Sequence, residues 1–308
     1  MLYGLQEDLE RKIETKQQSL VKKERPHGAD YWLVDRNTYS AYQGNLDVKT
    51  FTIGGVKVGN KPLVIAGPCT VHSREQTLEI AEKVKEAGAD MLRGGVYKPR
   101  TSPYLFRGLG KAGLEILAEA RERTGLPLVT EVMDPRLVEL VGSYADMLQI
   151  GSRNMQNYPL LTEIGKYAAK YDKAVLLKTS LMPKLKEILC AAEYLAVEGA
   201  EKIIICERGM AVTTGETRNT PNPLLLRELR RTTYLPIIGD PSHSTGDRDL
   251  VCDASDMYLA AKANGLIVEV IRDDEPKIID GVPVCDYNQG LPLSKFKEYV
   301  ALLRQRNI

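Results

Sequence analysis

From Leu63 onward the chain repeats one rhythm: a short apolar run, then a longer segment whose apolar positions recur at helical spacing. The runs are LVIAGP (63–68), DMLRGG (90–95), PLVTEV (127–132), DMLQIG (146–151), AVLLK (174–178), KIIICERG (202–209), LPIIGDPSHS (235–244) and GLIVEV (265–270). Short apolar runs bounded by turn residues read as strands buried on both faces. Between them, stretches such as REQTLEIAEKVKEAGA and KLKEILCAAEYLAVEGA place apolar residues at i, i+3, i+4 and i+7, and several end in glycine. That is the pattern of an amphipathic helix with its stop signal. Eight strand–helix units at a repeat of roughly 30 residues predict an α/β fold of the (β/α)8, or TIM-barrel, class. A doubly wound open sheet also alternates, but no glycine-rich dinucleotide fingerprint follows the first run.

Upstream the rhythm differs. Residues 1 to about 25 form one polar pattern in which Leu5, Leu9, Ile13 and Leu20 recur at roughly helical spacing, and ERPHGAD breaks it. KTFTIGGVKVGNK then alternates apolar and polar residues about Gly54-Gly55, a hairpin signal. Residues 1–60 are therefore expected to be an N-terminal extension, a helix that packs on a neighbouring subunit and a hairpin that closes the bottom of the barrel. Residues 61–308 are expected to be the catalytic barrel. The extension is too short for a regulatory domain with its own core.

Lys plus Arg number 42 and Asp plus Glu 41, a net charge of +1, which argues against a general nucleic-acid or membrane-surface protein. No apolar run approaches the ~18 residues of a membrane span. The opening MLYGLQEDLERKIETKQQ lacks the apolar core of a secretory signal. Five cysteines lie scattered with no CxxC pair, unlike a disulfide framework. Together these predict a cytoplasmic protein with reduced thiols.

A TIM barrel carries its active site at the C-terminal ends of its strands. The polar residues expected there are Cys69, Arg93, Glu131, Arg153, Lys178, Arg208, His243 and Glu269. Cys69, His243 and Glu269 follow strands that are neighbours in a closed barrel. Thiolate, imidazole and carboxylate suit a divalent transition metal such as Mn, Fe, Co or Zn. A fourth ligand would come from Asp286, Asp280 or the Asp273–Asp274 pair, and spacing does not choose among them. Singly, each residue has an ordinary structural role; their convergence at one mouth is what points to a metal. The stretch LRGGVYKPRTSPYLFRG adds Lys98 and Arg100 to the cations Arg93, Arg153, Lys178 and Arg208. Arginine forks and lysine point charges bind phosphate and carboxylate, and so many cations exceed the need of one monoanion. They fit two phosphorylated substrates, or one that carries both groups. Glu131 is placed for general-base work or for ordering a water, with a salt bridge to Arg93 or Lys98 as the structural alternative. Lys178 as a Schiff-base nucleophile is a further reading.

Taken in order, AGPCTVHSREQ, LRGGVYKPRTSPYLFRGLG, QIGSRNMQN, ICERG, TRNT, DPSHSTGDRDLV and GLIVEV resemble the type I 3-deoxy-D-arabino-heptulosonate 7-phosphate (DAHP) synthases, over about residues 50 to 300. The resemblance is to the group of that type closest to the 3-deoxy-D-manno-octulosonate 8-phosphate synthases, and KPRTS after RGG sides with the DAHP enzymes. The resemblance implies condensation of phosphoenolpyruvate with erythrose 4-phosphate, release of phosphate, and entry to the shikimate pathway of aromatic amino acid biosynthesis. It implies a metal site of Cys69, His243, Glu269 and Asp286. By the same resemblance, Arg93, Lys98, Arg153, Lys178 and Arg208 meet phosphoenolpyruvate, and Arg100 and Thr101 meet the sugar phosphate. Lys98, Glu131 and Lys178 are the implied catalytic residues, and a homo-oligomer, tetramer or dimer, is the implied assembly. The alternative is a 3-deoxy-D-manno-octulosonate 8-phosphate synthase or another phosphoenolpyruvate-dependent 3-deoxy sugar acid synthase. The chain departs from the pattern at Ser180, where relatives commonly have glycine, at Ile271, where a histidine is frequent, and in a longer segment before Asp286. Cys285 beside Asp286 raises a further expectation, oxidation together with Cys69 when metal is lost.

Overall fold

Along a strand successive side chains point to opposite faces, and in this protein that alternation sorts core from site. A computed structural model describes residues 47–212 and 217–306. The helix expected within residues 1–25 lies outside the described residues. Strands β1 (Phe51–Ile53) and β2 (Val56–Val58) pair antiparallel as the expected hairpin. The barrel follows: β3 (Leu63–Gly67), β4 (Met91–Arg93), β5 (Leu128–Glu131), β6 (Met147–Ile150), β7 (Ala174–Lys178), β8 (Lys202–Glu207), β9 (Ile237–Gly239) and β10 (Gly265–Ile271). Each strand pairs parallel with the next, and β10 pairs with both β9 and β3, which closes the ring. The main helices between them are α1 (Arg74–Glu86), α2 (Lys111–Thr124), α3 (Val138–Tyr144), α4 (Tyr158–Tyr171), α5 (Leu185–Val197) and α6 (Pro223–Thr232). A short α7 (Pro241–Thr245) and α8 (Val251–Ala260) separate β9 from β10. After β10 come a small hairpin, β11 (Ile278–Ile279) and β12 (Val282–Pro283), then β13 (Leu291–Pro292) and α9 (Leu293–Gln305).

Two apolar cores result. Outward-facing strand residues such as Val64, Leu92, Leu148, Val175 and Ile205 pack with the buried faces of the helices. Inward-facing Ile65, Met91, Val129, Met147, Leu176, Ile204, Ile238 and Ile267 fill the barrel. Ile53 and Val58 of the first hairpin belong to that inner cluster, so the hairpin packs against the barrel filling. The next inward positions, two residues further along, are Arg93, Glu131, Gln149, Lys178, Cys206 and Glu269. On six of the eight strands one face thus carries filling below and polar or thiol side chains above.

One strand is shorter than its apolar run suggests. LPIIGDPSHS predicts a strand reaching His243, yet β9 ends at Gly239. Pro241 has no N–H to donate to a ladder. Asp240 caps a helix instead, its side chain accepting from His243 N at 3.0 Å. His243 therefore stands on the first turns of α7 rather than at a strand end. Among the described residues no helix is long and apolar enough to cross a membrane.

Candidate active site

The C-terminal mouth of the barrel opens on a cavity of about 380 Å³. Of the cations expected from sequence, Arg93, Lys98, Arg100, Arg153, Lys178 and Arg208 all line it, as do Thr101, Glu131, His243 and Asp286. Cys69 and Glu269 do not line it; they lie one layer deeper, both buried, and touch residues that do.

The deeper layer is a tight knot of opposite charges. Glu269 Oε1 takes Arg93 Nη2 at 3.0 Å and faces His243 Nε2 at 3.3 Å, while its Oε2 accepts from Gln289 Nε2 at 2.6 Å. The Cys69 thiol donates to Asp286 Oδ2 at 3.2 Å, and Lys98 Nζ donates to Cys69 Sγ at 3.1 Å. Burial, then the Glu269 charge, push the Cys69 pKa well up. Burial works against the charges of Glu269 and Asp286, yet nearby cations hold both below the usual carboxylate range, with His243 and Arg93 leading for Glu269 and Lys98 for Asp286. Cys69, Glu269 and Asp286 each offer a ligand atom within 4.8 Å of the others. His243 Nδ1 lies 2.8 Å from Asp240 Oδ2, off the line of an ideal hydrogen bond, which leaves Nε2 turned toward the same cluster. A soft thiolate, an imidazole nitrogen and two carboxylates fit a divalent transition ion, with Asp240 supporting the imidazole from behind. Of the acids left open by spacing, Asp286 is the one that reaches this cluster.

The cations above this knot are in part left without partners. Arg93 Nε and Nη1 and Arg208 Nη1 are buried with no hydrogen-bond partner. Buried donors of this kind cost free energy unless something accepts from them. Lys178 Nζ is paired with Asp240 Oδ2 at 2.6 Å. Glu131 forms no ion pair among the described residues; Gln149 Nε2 approaches it at 3.4 Å, and the alternative of a salt bridge to Arg93 or Lys98 is not made. Burial raises the Glu131 pKa, which the surrounding Lys98 and Lys178 only partly offset. Arg100 is held by Phe106 O at 3.0 Å and by the Cys285 thiol. Cys69 and Cys285 are both buried and unbridged. The departures fall at the edges. Ser180 does not line the cavity, and its N–H meets Met155 Sδ at 3.2 Å. Ile271 is buried at the end of β10, and the longer segment before Asp286 holds the β11–β12 hairpin.

Gln149, Asp240, Arg218 and Asn219 are site residues that sequence reasoning missed. Gln149 was legible: it continues the inward register of Met147. Asp240 was legible only as a helix cap, not as the partner of Lys178. Arg218 and Asn219 belong to the TRNT motif, but nothing in their spacing tells that they reach the mouth. Gly151 has a steric role, since a Cβ there would overlap Glu131 Oε1. Gly151→Ala is expected to lower kcat about tenfold or more by displacing that carboxylate, while thermal melting shifts by only a few degrees. Initial-rate kinetics beside a melting curve check this.

Comparison with known proteins shows which family the chain belongs to. The family model described as DAHP synthetase I family matches residues 43–306. A phospho-2-dehydro-3-deoxyheptonate aldolase of Thermotoga maritima is 44% identical over 254 residues, covering 82% of this chain and 72% of the relative. A 2-dehydro-3-deoxyphosphooctonate aldolase of Desulfatibacillum aliphaticivorans is 31% identical over 254 residues, covering 75% of this chain and 90% of the relative. The crystal structure of the Thermotoga maritima DAHP synthase aligns with a TM-score of 0.79 at 42% identity, over 90% of this chain and 76% of that one. A truncated form of the Thermotoga maritima enzyme aligns with a TM-score of 0.77 at 38% identity, over 90% of this chain and 96% of that one. A (β/α)8 barrel with this ring of residues at its mouth, matched over nearly all its described length, belongs to the DAHP synthetase I family and is an enzyme of it.

Proposed function

We propose that this enzyme condenses phosphoenolpyruvate with erythrose 4-phosphate, consumes one water, and releases inorganic phosphate and DAHP. The observation that carries the reading is the set of buried, unpartnered guanidinium donors on Arg93 and Arg208 beside Lys98, Arg153 and Lys178 in one cavity. Such donors suit the carboxylate and phosphate of phosphoenolpyruvate. Arg100 and Thr101 line the same cavity and would take the phosphate of the aldose.

In this reading the new bond forms between C3 of phosphoenolpyruvate and the aldehyde carbon. Arg93, Arg153, Arg208 and Lys178 fix the phosphoenolpyruvate, and Lys98 stands between the substrates to stabilise charge that develops on the aldehyde oxygen. Water then adds to C2. Glu131, its pKa raised by burial, accepts a proton from that water, with Lys178 nearby as the cation that favours it. The C2–O bond to phosphate breaks, which leaves the ketone of the product. Cys69, His243, Glu269 and Asp286 would hold a divalent ion (Mn, Fe, Co or Zn), which would supply Lewis acidity toward the aldehyde oxygen. Phosphate release on mixing with phosphoenolpyruvate and erythrose 4-phosphate tests the reading. Arabinose 5-phosphate is the comparator, because relatives at 31% identity are 2-dehydro-3-deoxyphosphooctonate aldolases. A clear preference for the pentose would overturn the choice of acceptor.

A further inference from the structure

Glu207 closes β8 one residue before Arg208, and strand alternation turns it away from the cavity. Cys206 faces the barrel filling, so Glu207 faces the helix layer. It is fully buried. A buried carboxylate in that layer needs donors, and it has three. Oε1 accepts from Gly209 N at 2.8 Å; Oε2 accepts from Asn222 N at 3.3 Å and from the hydroxyl of Tyr258 on α8. Gly209 and Asn222 are the two ends of the connection between β8 and α6, and Asn222 is also the N-cap of α6. One side chain therefore ties both ends of that connection to the barrel wall.

What the connection carries lies in the site. Met210 and Thr220 pair with each other in both directions, N to O at 2.9 Å each way, so the ends run side by side. From there Asn219 Nδ2 donates to His243 O at 2.9 Å. Arg218 donates from its backbone to Thr245 O at 3.1 Å and from Nη1 to Asp286 Oδ1 at 3.1 Å and Gln289 Oε1 at 2.8 Å. Both residues line the cavity. Gly209 adopts φ +86°, and a Cβ there would meet Ser244 Cα at 2.7 Å, so the chain passes close against α7 at the tied end.

We propose that Glu207 is a positioning residue: its carboxylate fastens the two ends of the β8–α6 connection and thereby fixes Arg218 and Asn219 at the active-site cavity. All three of its partners are donors, so the ionised carboxylate satisfies them together, and a proton on it would face a donor. The other groups that face it are Cys206 on its own strand, Arg208 just past the strand end, and Asp240, whose backbone N–H donates to Glu207 O at 2.8 Å. Burial pushes its pKa up to about 7, against the opposing pull of Tyr258, the two backbone N–H groups and Arg208. The tie is then complete at alkaline pH and loosens as pH falls through neutrality.

The test compares wild type with Glu207→Gln over pH 6 to 9, using the condensation proposed above as its assay. The amide side chain cannot accept from all three donors at any pH. The expected kcat/KM ratio of wild type to variant is roughly tenfold or more at the alkaline end and converges toward one at the acid end. A ratio of one throughout, or one that is constant across pH, overturns the proposal, the second outcome meaning a merely structural role. Hydrogen–deuterium exchange at the Gly209 and Asn222 amides is a readout that needs no turnover. Faster exchange in the variant at alkaline pH supports the tie, and unchanged exchange sinks it even if the substrates are wrong. Should Glu207→Gln fail to fold, Tyr258→Phe removes one donor and leaves the carboxylate. It is expected to move the acid limb of the wild-type profile to higher pH, and an unmoved limb contradicts the proposal.

Discussion

Lys178→Met is expected to lower kcat/KM by about a thousandfold or more and to destabilise the fold as well. Lys178 Nζ sits 2.6 Å from Asp240 Oδ2, with side chains 5% and 0% exposed. Asp240 has no solvent to turn to. Burial opposes its charge, and His243 followed by Lys178 holds its pKa well below the usual aspartate range. Removing the lysine leaves that carboxylate buried with one partner fewer, which costs about 3–5 kcal/mol where such pairs have been broken. The sign in pH follows from the direction of the shift. A depressed carboxylate contributes stability above its unfolded pKa and loses it as pH falls through the folded value, so the wild-type pair holds at neutrality and fails only in acid. Lys178→Met should therefore show its stability loss at neutral pH and a smaller loss in strong acid. Catalytic loss is separate: the variant lacks a lysine that lies beside Asp240 and at the proposed phosphoenolpyruvate site. Thermal melts at two pH values, read beside initial rates, separate the effects. A variant with wild-type kinetics would remove Lys178 from the mechanism.

Cys69→Ala is the second large effect. The thiol is buried against Asp286 and Lys98, and its pKa is raised by that burial. A metal at this site must displace the thiol proton, and the sulfur is the soft member of an otherwise hard set. Without it, three of the proposed ligands remain, and affinity for a transition ion is expected to fall by about a hundredfold or more. Metal content after dialysis, measured by elemental analysis, is expected to drop from near one ion per chain to a small fraction. Folding should survive, since alanine leaves only a small space beneath the cavity. Full retention of metal by Cys69→Ala would shift the site away from the sulfur.

How much of this was legible beforehand depends on which physical signal each residue rests on. Period two along the strands and helical periodicity between them were enough for the barrel. The same period placed Arg93, Glu131, Lys178 and Glu269 at the mouth, because each continues an inward row begun by Met91, Val129, Leu176 and Ile267. Gln149 obeys that rule and was passed over in favour of Arg153, which comes after the strand on a 3-10 turn. Residues beyond strand ends resisted. His243 was placed on a strand that stops four residues sooner, at Gly239, because the run of apolar letters hid a proline and an N-cap. Asp286 follows β10 by fifteen residues and reaches Cys69 only through the path of the chain, which no local pattern encodes. Glu207 points outward by the same alternation that turns Lys178 inward, so a search of the mouth alone does not find it.

The decisive measurement is phosphate release from phosphoenolpyruvate, followed with erythrose 4-phosphate and with arabinose 5-phosphate, before and after treatment with a chelator. The expected result is turnover that prefers erythrose 4-phosphate, collapses on chelation, and returns when Mn, Fe, Co or Zn is restored. Turnover that prefers the pentose, or that is untouched by the chelator, would contradict it.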